Sequence, residues 1–174
     1  VFGIRQSGTN ISGGIPTAGI NSGKGDTFQI LSSSTIVGYA RRVPEHIGEN
    51  PIDLRLEGIL SLDRNPLNIA ELTPYTPFNQ YKGKTAIILV LGSSAECGKT
   101  TVTSEVIKGL NQLGMRVAAS KTNGSGNIRD KYSMRDAGAV FYLDYVDFGL
   151  VTTYEVPTEK YLPVLKGILN EAEK

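Results

Sequence analysis

The chain has 174 residues, 40% apolar and 20% charged, and 18 Lys and Arg against 17 Asp and Glu give a net charge of +1. That balance argues against nucleic acid or an anionic membrane as partner, and the length is enough for one core or two small ones. One cysteine, Cys97, excludes an internal disulfide framework, the longest wholly apolar run (Ala86 to Leu91) is far too short to span a bilayer, and no charged-then-apolar leader opens the chain. A cytoplasmic protein is expected. With a start at Val1 rather than Met, a chain processed or cut from something longer is expected.

Residues 1 to 25 are crowded with glycine, serine and threonine and hold too few large apolar residues for an amphipathic helix, so a loop or tail is expected. Gly23-Lys24-Gly25 is too bare for a phosphate loop, since no strand precedes it. Thr27 to Leu31 and Thr35 to Ala40 read as strands, and Arg41 to Pro51 as a loop. His46 in that loop, the one histidine, reads as a solvated side chain. Ile52 to Glu57 alternates apolar and polar as a half-buried strand does. Asp63 to Pro66 is a predicted turn, and Leu67 to Leu72 a predicted return strand. These pieces make a β-rich N-terminal domain over residues 1–80, joined through the proline-broken stretch Thr73 to Gly83 to a second domain over 81–174.

The second domain opens on its most informative stretch. Ala86 to Leu91 reads as a strand buried on both faces, Gly92 to Gly98 as a turn, and Val102, Val106, Ile107, Leu110 and Leu113 recur at helical spacing up to Gly114. Between turn and helix stands Gly98-Lys99-Thr100-Thr101. Strand, glycine turn, Gly-Lys-Thr and helix together form the context of a phosphate loop. Backbone N–H groups of Gly92, Ser93, Ser94, Ala95, Glu96, Cys97 and Gly98 would cradle phosphate at the helix N-terminus. Lys99 would bind the β and γ oxygens, and Thr100 would ligate Mg²⁺. The strict motif wants glycine at Ser93; here the glycine is one residue earlier, at Gly92.

Gly92-Ser-Ser-Ala-Glu-Cys-Gly-Lys-Thr100 resembles the loop of dethiobiotin synthetase. Lys121-Thr-Asn-Gly124 resembles the Lys-Pro segment and following glycine at the end of that family's next strand. The resemblance covers about residues 84 to 126. The family's Asp is Ser94 here, its second Thr is Ala95, and its Pro is Thr122. Asn123-Gly-Ser-Gly126, Asp136-Ala-Gly-Ala139 and Asp144-Tyr-Val-Asp147 resemble segments of a poorly characterised family of similar P-loop proteins. Ser94 stands where the MinD/ParA type carries a signature lysine, which argues against that type.

Met115 to Ser120 reads as a second parallel strand, so Lys121 and the turn to Asn127 fall at a strand end beside the loop. Arg129 to Ala139 is a predicted helix closed near Gly138, with Asp130 able to approach Mg²⁺. Asp136 reads as a surface or capping residue. Val140 to Asp147 is a predicted third strand whose terminal Asp147 is a candidate for the metal shell, and Asp144 reads as structural. Thr158 to Lys174 is a predicted helix, with Pro163 disturbing its first turn.

The fold expected is α/β, a P-loop doubly wound parallel sheet, incomplete in this chain, behind a small β-rich domain. The strands are few for that class, so a fragment or one partner of an assembled sheet, including a homo-oligomer, is expected. The function the resemblance implies is ATP-dependent (or GTP-dependent) activation of a small carboxylate or carbamate with Mg²⁺, by a ligase or phosphotransferase, with Lys99 and Lys121 catalytic. The alternatives are a nucleotide-binding regulator or scaffold with little turnover, and a small-metabolite kinase.

Overall fold

The computed structural model describes residues 1–15, 25–34, 36–48 and 50–174, which form a mixed α/β protein. Gly23 and Lys24, weighed above as part of a second phosphate loop, lie outside the described residues, as does Thr35 of a predicted strand. Strands β1 (Ser12–Gly14), β2 (Thr27–Ile30), β3 (Val37–Arg42) and β4 (Asp53–Arg55) make an antiparallel sheet in the order β1-β3-β2-β4. Phe28, Leu31 and Ile36 form its buried centre. Phe2 meets Phe28 edge-on at 4.9 Å between centroids.

The glycine-rich start, expected as loop, supplies a strand. A Cβ on Gly13 would lie 2.1 Å from the Tyr39 carbonyl oxygen, and one on Gly38 2.8 Å from that of Gly14. The two strands approach at a distance that glycine alone permits, so here glycine marks close backbone contact rather than freedom. β5 (Ser61–Leu62) and β6 (Asn65–Pro66) form a hairpin around Asp63 and Arg64, both left-handed at φ 49° and 67°, as a two-residue type I′ turn requires. The return therefore begins at Asn65, and the predicted strand over Leu67 to Leu72 gives way to a 3₁₀ turn, Ile69–Glu71, capped by the Asn68 side chain.

The rest of the chain contains α1 (Lys99–Gln112), β7 (Ala118–Lys121), α2 (Ile128–Asp136), β8 (Phe141–Asp144) and α3 (Thr158–Ala172). β7 and β8 pair in parallel with α2 as the crossover, Ala118 opposite Phe141 and Lys121 opposite Asp144. Successive strand residues point to opposite faces. Tyr142 accordingly packs with Ile107 of α1 and Met134 of α2, while Leu143 packs with Val164 and Ile168 of α3. One face thus carries α1 and α2, the other α3. Gly114 and Gly138 close their helices at φ 76° and 101°, as predicted. α3 runs through Pro163.

Two further expectations change. The third strand stops at Asp144, because Tyr145–Phe148 is a 3₁₀ turn capped by that aspartate. Ala86 to Leu91 enters no ladder among the described residues, and Ile87, Ile88, Leu89 and Leu91 are exposed. An apolar run of this kind needs neighbouring strands and covering layers, and the described parallel sheet consists of β7 and β8. A complete doubly wound sheet is therefore not formed by the described residues. No helix among them is long and apolar enough to cross a membrane.

Gly13→Ala should lower the stability of the N-terminal sheet by about 1–3 kcal/mol in urea unfolding, since the added methyl meets backbone. Gly8→Ala, with nothing within 4 Å of the added carbon, should stay within about 0.5 kcal/mol of the parent.

Candidate functional site

The loop from Gly92 to Gly98 ends at Gly98, which caps α1 in the left-handed region at φ 89°. A Cβ on Gly92 would lie 2.3 Å from Cys97 Sγ and 2.9 Å from Lys99 Cγ, so the loop folds back over this residue. That contact gives a physical reason for glycine at Gly92, one position earlier than the strict spacing. The Lys99 ammonium donates to the Ser94 carbonyl and lies 3.5 Å from Cys97 Sγ. A backbone hydrogen bond from Ser94, helped by Lys99, holds the Cys97 thiol below its ordinary pKa. Ser93, Ala95 and Thr101 are exposed.

Thr100 begins the side-chain chain of the site. Its Oγ1 is 3.4 Å from Asp130 Oδ1, and the other oxygen of Asp130 accepts from Lys121 Nζ. Lys121 also donates to the Ser125 carbonyl at 2.8 Å. Asp130 is set in the first turn of α2 by the Asn127 cap, whose side chain accepts from the Arg129 N–H. The loop after β7 is pinned by the segment after the 3₁₀ turn. Gly124 N–H donates to Thr153 Oγ1 at 2.8 Å, and Thr153 N–H returns to the Gly124 carbonyl at 2.9 Å. From α3, the Tyr161 hydroxyl donates to the Thr122 carbonyl at 2.7 Å. Thr100, Lys121 and Asp130, read separately from the sequence, are thus brought together.

Asp147 belongs to a different group. Its carboxylate accepts from Lys131 Nζ at 2.7 and 2.8 Å and from the Asp144 N–H at 2.9 Å, completing a capping box in which the Asp144 side chain accepts from the Asp147 N–H and also from the Val146 N–H. Asp144 is buried, and this burial, with the charge of Asp147 beside it, raises its carboxyl pKa.

The N-terminal sheet also reaches the site. Asn10 Nδ2 donates to the Glu96 carboxylate in the glycine loop, and Gln6 Nε2 donates to Glu155 at 2.9 Å. Both glutamates have left-handed backbones, φ 62° and 56°. Neither contact was legible from the sequence, because no residue pattern announces a glutamate at positive φ. His46 is exposed, as read. No protein-family model, curated protein or solved structure matches the chain.

The raised Asp144 carboxyl gives a pH signature. The folded chain holds that proton more tightly than the unfolded one, so this group's contribution to stability falls as pH rises from the ordinary aspartate range through the raised value. Asp144→Asn keeps an oxygen to accept from Val146 and removes the ionisation. Relative to the parent, its urea midpoint should therefore improve as pH rises from the ordinary aspartate range near about pH 4. A constant difference above that range would contradict the assignment.

Proposed function

We propose that the chain binds a nucleoside triphosphate with Mg²⁺ at the Gly92 to Thr100 loop and uses it to activate a small carboxylate or carbamate by phosphoryl transfer. The observation that carries this reading is the convergence of Thr100, Asp130 and Lys121 beside the start of α1. The resemblance of the loop to that of dethiobiotin synthetase supports the reaction class.

The residues fit the groups implied. Mg²⁺ in phosphate sites takes one or two protein oxygens and completes its shell with water and phosphate. Thr100 Oγ1 and Asp130 Oδ1, 3.4 Å apart, are oxygens of that sparse kind, and the described residues contain no group of three His, Cys, Asp or Glu suited to a denser metal site. Bound Mg²⁺–nucleotide would supply the phosphoryl group and shield its charge. Lys99 and the N–H groups of the loop would bind the transferring phosphate, and Lys121 would orient the anionic acceptor. Asp147, whose carboxylate takes the Asp144 N–H in the capping box as well as Lys131, holds the turn after β8 and has no contact with Thr100 of the kind Asp130 makes.

The same reading assigns Ala86 to Leu91 to a doubly wound sheet. The segment's entry is tied to the end of α3, where Glu173 accepts from the Thr85 N–H at 3.0 Å and the Tyr81 hydroxyl at 2.7 Å. It leaves into α1 on the opposite face of the β7–β8 pair. Its ends thus suit a third parallel strand between the layers.

Titration of Mg²⁺–ATP and Mg²⁺–GTP into the chain tests the proposal. Saturable binding of one nucleotide should weaken at least tenfold in Lys99→Ala, a loss of about 1.4 kcal/mol. At about 100 times Kd, the nucleotide should raise stability by roughly 2.7 kcal/mol. A folded chain that binds neither nucleotide would remove this reading.

A further inference from the structure

Four non-glycine residues among those described have left-handed backbones: Asp63, Arg64, Glu96 and Glu155. Asp63 and Arg64 are explained by the β5–β6 hairpin turn. Glu96 and Glu155 lie in two separate loops, one before α1 and one before α3. Each carboxylate accepts from an amide side chain of the same short N-terminal stretch, Asn10 for Glu96 and Gln6 for Glu155.

That stretch is itself built to hold still. Ser7 Oγ accepts from the Asn10 N–H at 3.1 Å and the Thr9 N–H at 3.3 Å, closing a serine turn. Ser12 Oγ accepts from the Ser7 N–H and donates to the Ser7 carbonyl, both at 2.9 Å. Arg5 exchanges both backbone hydrogen bonds with Gly13, each at 2.9 Å, which ties the stretch to β1. Farther back, a Cβ on Gly3 would meet Val151 at 3.2 Å, so the chain runs directly along the segment that leads to Glu155. A left-handed conformation in a residue with a Cβ persists where its surroundings over-determine it. Here the surroundings include two neutral amides from one short, internally hydrogen-bonded stretch, with the Arg5 guanidinium also close enough to Glu96 to feel its charge.

We infer that residues 6–10 are a positioning clamp, in which Asn10 holds Glu96 and Gln6 holds Glu155 so that the N-terminal sheet sets the backbone shape of the glycine loop. The inference rests on the nucleotide reading for its consequence, because backbone N–H groups of that loop are the proposed phosphate ligands. With the Asn10 contact made, the Glu96 carboxylate is turned out toward the N-terminal sheet. With it lost, the loop relaxes from φ 62° and an acidic side chain is free to swing over the place where phosphate would bind.

A rescue experiment tests the clamp. Asn10→Ala should weaken Mg²⁺–ATP binding about five- to tenfold and speed amide hydrogen exchange of residues 94–98 in the ligand-free chain, with the urea midpoint of the whole chain unchanged. In a Glu96→Gly background the same Asn10→Ala change should have no effect on either readout, since glycine takes positive φ freely and carries no carboxylate. A loss of affinity equal in both backgrounds would overturn the inference, as would unchanged exchange and affinity in Asn10→Ala. If the parent chain binds no nucleotide, the proposed function fails and exchange alone decides. Faster exchange in Asn10→Ala, abolished by Glu96→Gly, would uphold the clamp, and unchanged exchange would overturn it.

Discussion

The parallel register of β7 and β8 is the constraint on which the rest of the second half depends. It sets Lys121 opposite Asp144, so both strands end at one level and both following turns emerge side by side. The crossover helix α2 is fastened between those ends by adjacent residues. Asp130 pairs with Lys121 at the end of β7, and Lys131 pairs with Asp147 beyond the end of β8. The side chains of both pairs are about one-fifth exposed. Such pairs add little net stability, yet removing one partner strands a charge with few solvent contacts. Their effect is to specify where α2 starts, and hence where Asp130 stands relative to Thr100.

The loop before α1 meets a different balance. A residue with a Cβ in the left-handed region costs roughly 1–2 kcal/mol, whereas a hydrogen bond to a charged group contributes roughly 1.5–3 kcal/mol when well sheltered and less when exposed. Glu96 and Glu155 are both exposed, so the two effects are of similar size. A single amide contact is then comparable in size to the backbone cost that it offsets. That near-equality makes the N-terminal stretch relevant to the site, although it supplies none of the residues proposed to touch phosphate.

The sequence was most readable where one local rule decides. The helical face of Ile107, the glycine after each of α1 and α2, and the placement of Lys121 at a strand end follow from periodicity and caps. It was least readable where conformation depends on what lies across from a residue. Gly13 forms a strand because the Tyr39 carbonyl is close, and Asp144 ends one because its side chain captures the Val146 N–H. Asp147 looked like a strand-end carboxylate and became half of a capping box, since the chain turns one residue after Asp144. The meeting of Thr100, Lys121 and Asp130 lay between these cases. Each residue was singled out alone, and the fold supplied their proximity.

The exposed run before the loop completes the argument about how the loop is held. Burying a side chain such as Ile87, Ile88, Leu89 or Leu91 is worth roughly 1.5–3 kcal/mol each, and α1 exposes Val102 and Leu113 as well. On its helical side the loop is anchored by α1, where Ile107 is buried and Asn111 donates to the Ala137 and Gly138 carbonyls at 3.3 and 3.0 Å. On its other side no ladder among the described residues fixes the chain. The contacts that constrain that side are the fold of the loop over Gly92, the Lys99 ammonium on the Ser94 carbonyl, the Ser94 backbone on Cys97 and the Asn10 amide on Glu96. A strand laid beside the loop would fix it from within the sheet. In its absence among the described residues, the loop is held by its own internal contacts together with the Asn10 amide from the N-terminal stretch.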